Sequence, residues 1–235
     1  MTFSMKRALA IFQKDYKDLS RNLLITSTLI MPVLLAIFYS RVGDNSIDIV
    51  YFVFNIAFSL VAIFVQCALI AEEKEKNTLR GLMLSPASTL DILIGKSILT
   101  FITTIIIVIA CIFVMGYVPP NLAVIVYAMI MSTLFYTAVG TIFGLLTKTV
   151  IEASLIVMLP FFFFSFSPML LALEDSFSLL GLLEYLPNFL LVDVARQVEA
   201  GAGFGAVGLE LGLLTVWALA VFIGSVVMYN RKQTD

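Results

Sequence analysis

Long uncharged apolar runs recur along this chain, and they leave few folds open to it. An apolar run of about 20 residues is long enough for a helix to cross the roughly 30 Å of bilayer hydrocarbon. A backbone in lipid must also satisfy its own hydrogen bonds, which a helix does within one segment. Read this way, the sequence predicts spans at 23–39, 49–71, 97–118, 122–146, 152–170 and 211–229. Composition agrees: 61% of the 235 residues are hydrophobic and 13% are charged, more apolar surface than a soluble domain of this size needs. The fold class expected is an all-α integral membrane protein forming one transmembrane domain.

Two segments do not fit a simple span. Residues 4–21 place Met5, Ala8, Leu9, Phe12, Tyr16 and Leu19 at three- and four-residue spacing, with Lys6, Lys14, Lys17 and Asp18 mostly between them. This predicts an interfacial amphipathic helix, its apolar side on the acyl chains and its lysines toward headgroups. Residues 171–208 are apolar but carry Glu174, Asp175, Glu184, Asp193, Arg196 and Glu199, and Pro187 divides them. No window of about 20 residues there is free of charge, so two short helices forming a re-entrant hairpin at the outer face are expected. Such a hairpin either gates the exit of a path or only packs the outer ends of the flanking spans together.

Within the spans, polar and small residues mark candidate contacts. Asn55 and Gln66 should face protein or a water path rather than lipid. Gly140 and Gly144, one turn apart, permit close helix packing. Pro32 is expected to kink the first span. The block Phe161–Phe164 is either lipid-facing bulk or an aromatic surface for substrate, with Phe162 and Phe163 at its centre. Together with Tyr185 and Pro187, these residues and Asn55 and Gln66 are the candidates for a translocation path or gate.

Several chemistries are removed at once. The chain has no histidine, so His-based metal sites, triads and proton switches are absent. Cys67 and Cys111 both fall in apolar runs and read as buried thiols. There is no G-x-S-x-G elbow and no G-x-x-x-x-G-K-[ST] loop, so the chain is not expected to be an enzyme or to hydrolyse nucleotide itself. No basic, aromatic-interleaved patch suits nucleic acid. The first apolar run follows a charged segment with no cleavage site after it, so no signal peptide is read.

The segment 72–96, EEKEKNTLRGLMLSPASTLDILIGK, is the long polar interruption between two apolar runs. A charge run, a short amphipathic piece with Leu79, Leu82 and Met83, and then Ser85-Pro86 predict helix, break and helix at a membrane surface. With the N-terminus inside, twelve of the fourteen lysines and arginines are cytoplasmic, and only Arg41 and Arg196 are outside. That bias predicts a multi-pass plasma-membrane protein with both termini and residues 72–96 in the cytoplasm.

The stretch QCALIAEEKEKNTLRGLMLSPASTLDILIGKSI resembles the corresponding segment of type-2 ABC transporter permeases: an acidic-basic run, Thr-Leu, a short helix, Ser-Pro, then Gly-Lys opening the third span. The order of elements over the whole chain is similar too, including Tyr185-Leu-Pro187-Asn188 and Arg196 before the last span. The Phe-rich end of the fifth span departs from the family's more glycine-marked version. The resemblance implies a half-size membrane subunit that pairs with a second copy or a paralogue. Each copy would recruit an ATP-binding subunit, two in all, on which ATP and Mg²⁺ would sit; this chain would bind no cofactor and no metal. Coupling to that ATPase would run through Glu72, Glu73, Glu75, Thr78, Leu79, Leu82, Met83, Ser85, Pro86 and Lys96. The glutamates would pair with basic groups on the partner or on the interfacial helix. The implied function is ATP-driven export of a hydrophobic or amphipathic drug, peptide or lipid-like substrate. A membrane binding or immunity protein without turnover, or a self-contained oligomeric channel lined by Asn55 and Gln66, are the alternatives.

The charge bias yields a direct test on a background lacking Cys67 and Cys111. A cysteine replacing Asp44 should react with an impermeant thiol reagent in intact cells, and one replacing Asn77 should react only after permeabilisation. The opposite pattern would invert the orientation.

Overall fold

The computed structural model describes residues 4–43, 46–76, 89–171 and 178–231. Among them the structure is helical, without strands: α1 (Met5–Arg21), α2 (Leu23–Val42), α3 (Ile47–Ala57), a π-helical stretch (Phe58–Ile63), α4 (Phe64–Glu75), α5 (Thr89–Met115), α6 (Leu122–Leu146), α7 (Val150–Ile156), α8 (Met158–Leu171), a 3₁₀ segment (Ser178–Tyr185), α9 (Pro187–Glu199) and α10 (Gly208–Arg231). Six helical stretches among these residues are long and apolar enough to cross a membrane: Ile25–Val42, Ile47–Glu75, Asp91–Met115, Leu122–Leu146, Val150–Pro168 and Gly208–Arg231.

The helices and the apolar runs do not end together. The second span stays helical through Glu75, past the last apolar residue Ala71, and the third begins at Thr89, two turns before Lys96. Residues 72–75 and 89–96 are therefore helix rather than solvated connector, because tertiary partners replace water there. Pro32 lies inside the continuous helix α2.

The second span, α3 through α4, is the hub. Ninety-four per cent of its apolar stretch is buried, against 17% for the first span and 22% for the sixth. Those outer helices instead expose side chains suited to lipid, among them Phe38, Val216 and Ile223. Span four holds the hub through glycines: a Cβ at Gly140 would lie 2.6 Å from the Ile63 carbonyl oxygen, and one at Gly144 would lie 2.9 Å from Ile70 Cβ. Backbone-to-backbone approach of this kind is open only to glycine there. On its other side α6 packs along α10, and Tyr127 Oη and Thr215 Oγ1 hydrogen-bond across that seam at 2.8 Å.

The π-helical stretch has a consequence for polar side chains. Asn55 and Gln66 are eleven residues apart, about three α-turns, which in a regular helix puts both on one face. The wider turns between them rotate the phase. Asn55 meets Tyr136 Oη at 3.4 Å, whereas Gln66 accepts from Thr100 at 2.6 Å and donates to Thr141 at 3.0 Å.

Prolines shape the opposite end of the bundle from α1. Pro160 follows the short break between α7 and α8. Pro168 has no N–H to give the Phe164 carbonyl one turn back; Asn188 Nδ2 of α9 donates to that oxygen instead, at 3.2 Å. Pro187 opens α9 at its first turn, where its missing N–H costs nothing. At 13 residues α9 is about 20 Å long, too short to cross the hydrocarbon layer. Trp217 Nε1 of the last span ties the preceding segment by donating to the Tyr185 carbonyl at 2.8 Å.

The glycine seam sets an expected stability series. Gly140→Ala should destabilise the bundle by about 1–3 kcal/mol, since a backbone carbonyl cannot yield. Gly212→Ala meets nothing within 4 Å and should be neutral or stabilising by up to about 1 kcal/mol. Denaturant titration in mild detergent reads both, and equal effects would contradict the close approach.

Candidate functional site

Helix α1 carries two stripes. Ala8, Ile11, Asp15 and Leu19, at helical spacing, are buried against the bundle, while Met5, Leu9 and Tyr16 are about half exposed on another face. The apolar set anticipated from sequence is thus divided: Ala8 and Leu19 face protein. Contact with α5 is made possible by Gly95, where a Cβ would lie 2.7 Å from the Ala8 carbonyl oxygen and 3.0 Å from Ile11 Cβ.

Asp15 on the buried stripe enters a cluster drawn from three elements. Lys96 of α5 is fully buried, and three oxygens surround its ammonium: Asp15 Oδ2 at 3.1 Å, Glu73 Oε2 at 3.0 Å and the Leu69 carbonyl at 3.4 Å. Lys14 closes the ring from the other side, 2.6 Å from Glu73 Oε1 and 3.3 Å from Asp15 Oδ1. Two lysines and two carboxylates balance in charge. Burial alone would lower the Lys14 pKa, but its bonds with Glu73 and Asp15 outweigh that and hold it above the ordinary 10.5. Lys14 Nζ is therefore engaged by Glu73 and Asp15, although 42% of the side chain stays exposed.

Further ties fasten the same end. Buried Asp91 accepts from the Ser4 backbone N–H at 2.7 Å and from Arg7 Nε at 2.8 Å, a carboxylate at the N-terminus of α1 where the helix dipole favours it. Lys74 Nζ donates to the carbonyls of Gly144, Leu145 and Thr147 at 3.3, 2.6 and 2.5 Å, capping α6 where its last carbonyls lack helical partners. Glu75 accepts from the Val150 N–H at 2.9 Å. Glu72 pairs with Lys76 one turn on. The charged run EEKEK thus distributes its side chains to α1, α5, the end of α6 and the start of α7.

The coupling candidates fall into two groups. Glu72, Glu73, Glu75 and Lys96 converge at this end; Thr78, Leu79, Leu82, Met83, Ser85 and Pro86 lie outside the described residues, as do Glu174 and Asp175 of the hairpin. Of the path candidates, Gln66 is fully buried as a tie between spans two, three and four, with Ser97 Oγ also 3.5 Å from it. Phe162 and Phe163 are exposed on the outer surface of α8, while Phe164 turns inward onto Phe135 and Tyr136. Tyr185 is 55% exposed, and Pro187 is buried.

Asn55 lines a cavity of about 360 Å³ at the far end, walled by Ile49, Phe52, Pro168, Phe189 and Val192, with Ser165 and Asn188 beside it. Asp48, Asp193 and Arg196 stand at its rim: Arg196 reaches Asp48 Oδ1 at 2.7 Å and Asp193 Oδ1 at 3.5 Å. Partial burial raises the Asp193 pKa, with Arg196 working against it. A second, more apolar cavity of about 190 Å³ lies between spans one, two and five, lined by Ser27, Thr28, Leu60, Phe64 and Phe161 among others.

Sequence reading assigned no role to Asp15, Asp91 or Ser165, and Asn188 stood out only within the Tyr185-Leu-Pro187-Asn188 pattern, not as a hydrogen-bonding group. Asp15 had a signal, its register with Ala8, Ile11 and Leu19; Asn188 had one in Pro168, which leaves a carbonyl in need of a donor.

Six membrane-length helices, braced at one end by buried ion pairs, define a multi-pass membrane protein. The chain belongs to the ABC-2 family of transporter proteins: the family model described as "ABC-2 family transporter protein" matches residues 40–227. No curated protein matches the chain. As a member of that family it is a membrane permease subunit without catalytic activity of its own, and the family implies an associated ATP-binding partner. Among the described residues no group of three or more His, Cys, Asp or Glu side chains could hold a metal ion.

Breaking the cluster should be costly. Lys96→Met leaves Asp15 and Glu73 sharing one half-exposed lysine and should lower stability by about 3–5 kcal/mol; adding Glu73→Gln should recover part of it. Because the folded Lys14 pKa lies above its unfolded value, that lysine's contribution is full below about 10.5 and is lost as pH rises through the folded value. Chemical denaturation of the variants, and of the parent across pH, reads both effects.

Proposed function

We propose that this chain is the membrane half of an ATP-driven exporter of hydrophobic or amphipathic substrates, with both termini cytoplasmic. Its coupling end is the one that carries α1, the charge cluster and the connection between α4 and α5. A second copy or a paralogue completes the path, and one ATP-binding subunit docks against residues 72–96 of each copy.

The observation that carries this reading is the Lys14–Asp15–Glu73–Lys96 cluster. A segment that only joins two spans needs no buried charges, and evolution of such a cluster in a mere connector has no physical advantage over apolar packing. Here the charges bind α1, the end of span two and the start of span three into one block. A push on the intervening segment, where Leu79, Leu82 and Met83 would meet the ATPase, is then shared by all three elements. α1 lies on the bilayer surface in this account, its Met5, Leu9 and Tyr16 stripe on the acyl chains. Spans one and five border an apolar cavity with span two; in this reading they face the second copy and the path, and that cavity is its inner part. The channel alternative gains nothing from Gln66, whose hydrogen bonds are taken up by Thr100 and Thr141.

Co-expression with an ATP-binding cassette subunit tests the proposal. The parent chain should co-purify with it in mild detergent and stimulate its ATP hydrolysis. Leu82→Asp, which forces an uncompensated charge against the partner, should reduce co-purification at least about tenfold while the protein stays membrane-inserted. Undiminished stimulation by that variant would remove the coupling role.

A further inference from the structure

The cavity around Asn55 holds buried polar groups that the fold leaves without partners. Ser165 Oγ is buried and makes no hydrogen bond, not even back to the carbonyl of the preceding turn, where a helical serine usually turns. Asn188 is 1% exposed. Its amide nitrogen is spent on the Phe164 carbonyl and on Ser167 Oγ, at 3.2 and 2.6 Å. That orientation is fixed, since the reversed amide would set two carbonyl oxygens against each other. Asn188 Oδ1 is left with no donor. Leaving such groups dry costs about 1–3 kcal/mol each, and both belong to residues lining the same cavity as Asn55.

The remaining walls decide what kind of molecule would satisfy them. Ile49, Phe52, Pro168, Phe189 and Val192 are apolar, and the rim carries Asp48 and Asp193 against a single Arg196. Asp48 is seven residues before Asn55, about 10 Å of helix, so the rim charges stand roughly two turns above the polar floor. A volume of about 360 Å³ falls in the range of small-molecule sites. At the floor Asn188 Oδ1 can only accept and the Ser165 hydroxyl can accept or donate, the walls offer apolar contact, and the rim has one more negative than positive charge. An anionic head would meet the Asn188 oxygen below and the net negative rim above.

We propose that this cavity is a binding site for compact amphipathic molecules whose neutral or cationic head donates hydrogen bonds to Ser165 and Asn188. Alcohols and primary amines on an apolar chain are the class it takes, and carboxylates and sulfates are refused. The site deepens the reading of the chain as a transport subunit, naming a substrate class for the outer cavity, and rests on that reading for its place in transport. Binding itself does not depend on it.

The test uses the full chain in phosphatidylcholine nanodiscs, without nucleotide or ATPase, so that failure here is separate from failure of ATP coupling. Four photoactivatable ten-carbon probes with a diazirine in the chain are compared: an amine, an alcohol, a carboxylate and a headless alkane. Mass spectrometry then maps the adducts. The amine and alcohol should label residues 48–56, 164–168 and 187–196 well above the carboxylate. Ser165→Ala loses no internal hydrogen bond, so folding should hold; it should cut amine and alcohol labelling about three- to tenfold, the worth of one hydrogen bond, and leave the alkane unchanged. Ser165→Leu fills the space and should abolish labelling there by every probe. Competition by phosphatidylethanolamine would assign the natural occupant to the bilayer, and competition by free decylamine alone to a non-lipid amphipath; either keeps the site. Equal labelling by amine and carboxylate, adducts only outside these residues, or indifference to both Ser165 variants would overturn it.

Discussion

One buried ammonium sets much of the architecture. Lys96 has no exposure to solvent and sits where a helix enters the bundle, so it is tolerable only with carboxylates beside it. Asp15 and Glu73 come from two other elements, α1 and α4. Neither carboxylate is tolerable there without the lysine, and Lys14 completes the balance. An apolar cluster of the same volume would hold these helices as well or better. What the charges add is a fixed register: α1 cannot slide a turn along α5 without leaving a charge unpaired. Gly95 contributes the space for that docking, and the Asp91 contacts with Ser4 and Arg7 anchor the helix at its other end.

The two ends of the bundle are built differently. At the α1 end, ion pairs and the Lys74 cap bind five elements together. At the far end, Pro168 leaves the Phe164 carbonyl without its helical donor. Asn188 supplies that donor, and its own Oδ1 and the nearby Ser165 Oγ stay buried without partners. Between the two ends the glycine face of α6 presses on the hub.

The six spans were legible because hydropathy over about 20 residues reports burial in lipid whatever the tertiary partners are. The helix at 5–21 was legible from its spacing. The placement of its charges was not. Lys14 and Asp15 look like solvent-facing residues when apolar periodicity is the only guide, and only the register of Asp15 with Ala8, Ile11 and Leu19 hints otherwise. Glu73 was expected to pair with a basic group on a partner or on the interfacial helix, and Lys14 of α1 is such a group; the burial of Glu73 and Lys96, and the pairing of Lys96 with both Glu73 and Asp15, had no signal in the residue pattern. Asn55 and Gln66 were grouped as polar residues within one span; both meet α6, at Tyr136 and Thr141, but Asn55 also lines a cavity while Gln66 is taken up between spans three and four. Pro168 signals a carbonyl in need of a donor at Phe164, but that Asn188 of α9 supplies it, leaving its own Oδ1 unpartnered, is visible only once α9 is in place; the unpartnered Ser165 hydroxyl had no signal.

The claim that the cluster holds α1 to the bundle is tested most directly by hydrogen exchange in the Asp15→Asn, Glu73→Gln protein, reconstituted in nanodiscs. With both carboxylates gone, Lys14 and Lys96 repel each other and Lys96 is buried unpaired. The backbone amides of residues 5–21 should lose at least about tenfold in protection, the kinetic equivalent of 1.4 kcal/mol, while those of α6 keep theirs. Unchanged protection in α1, or an equal loss across every helix, would contradict it.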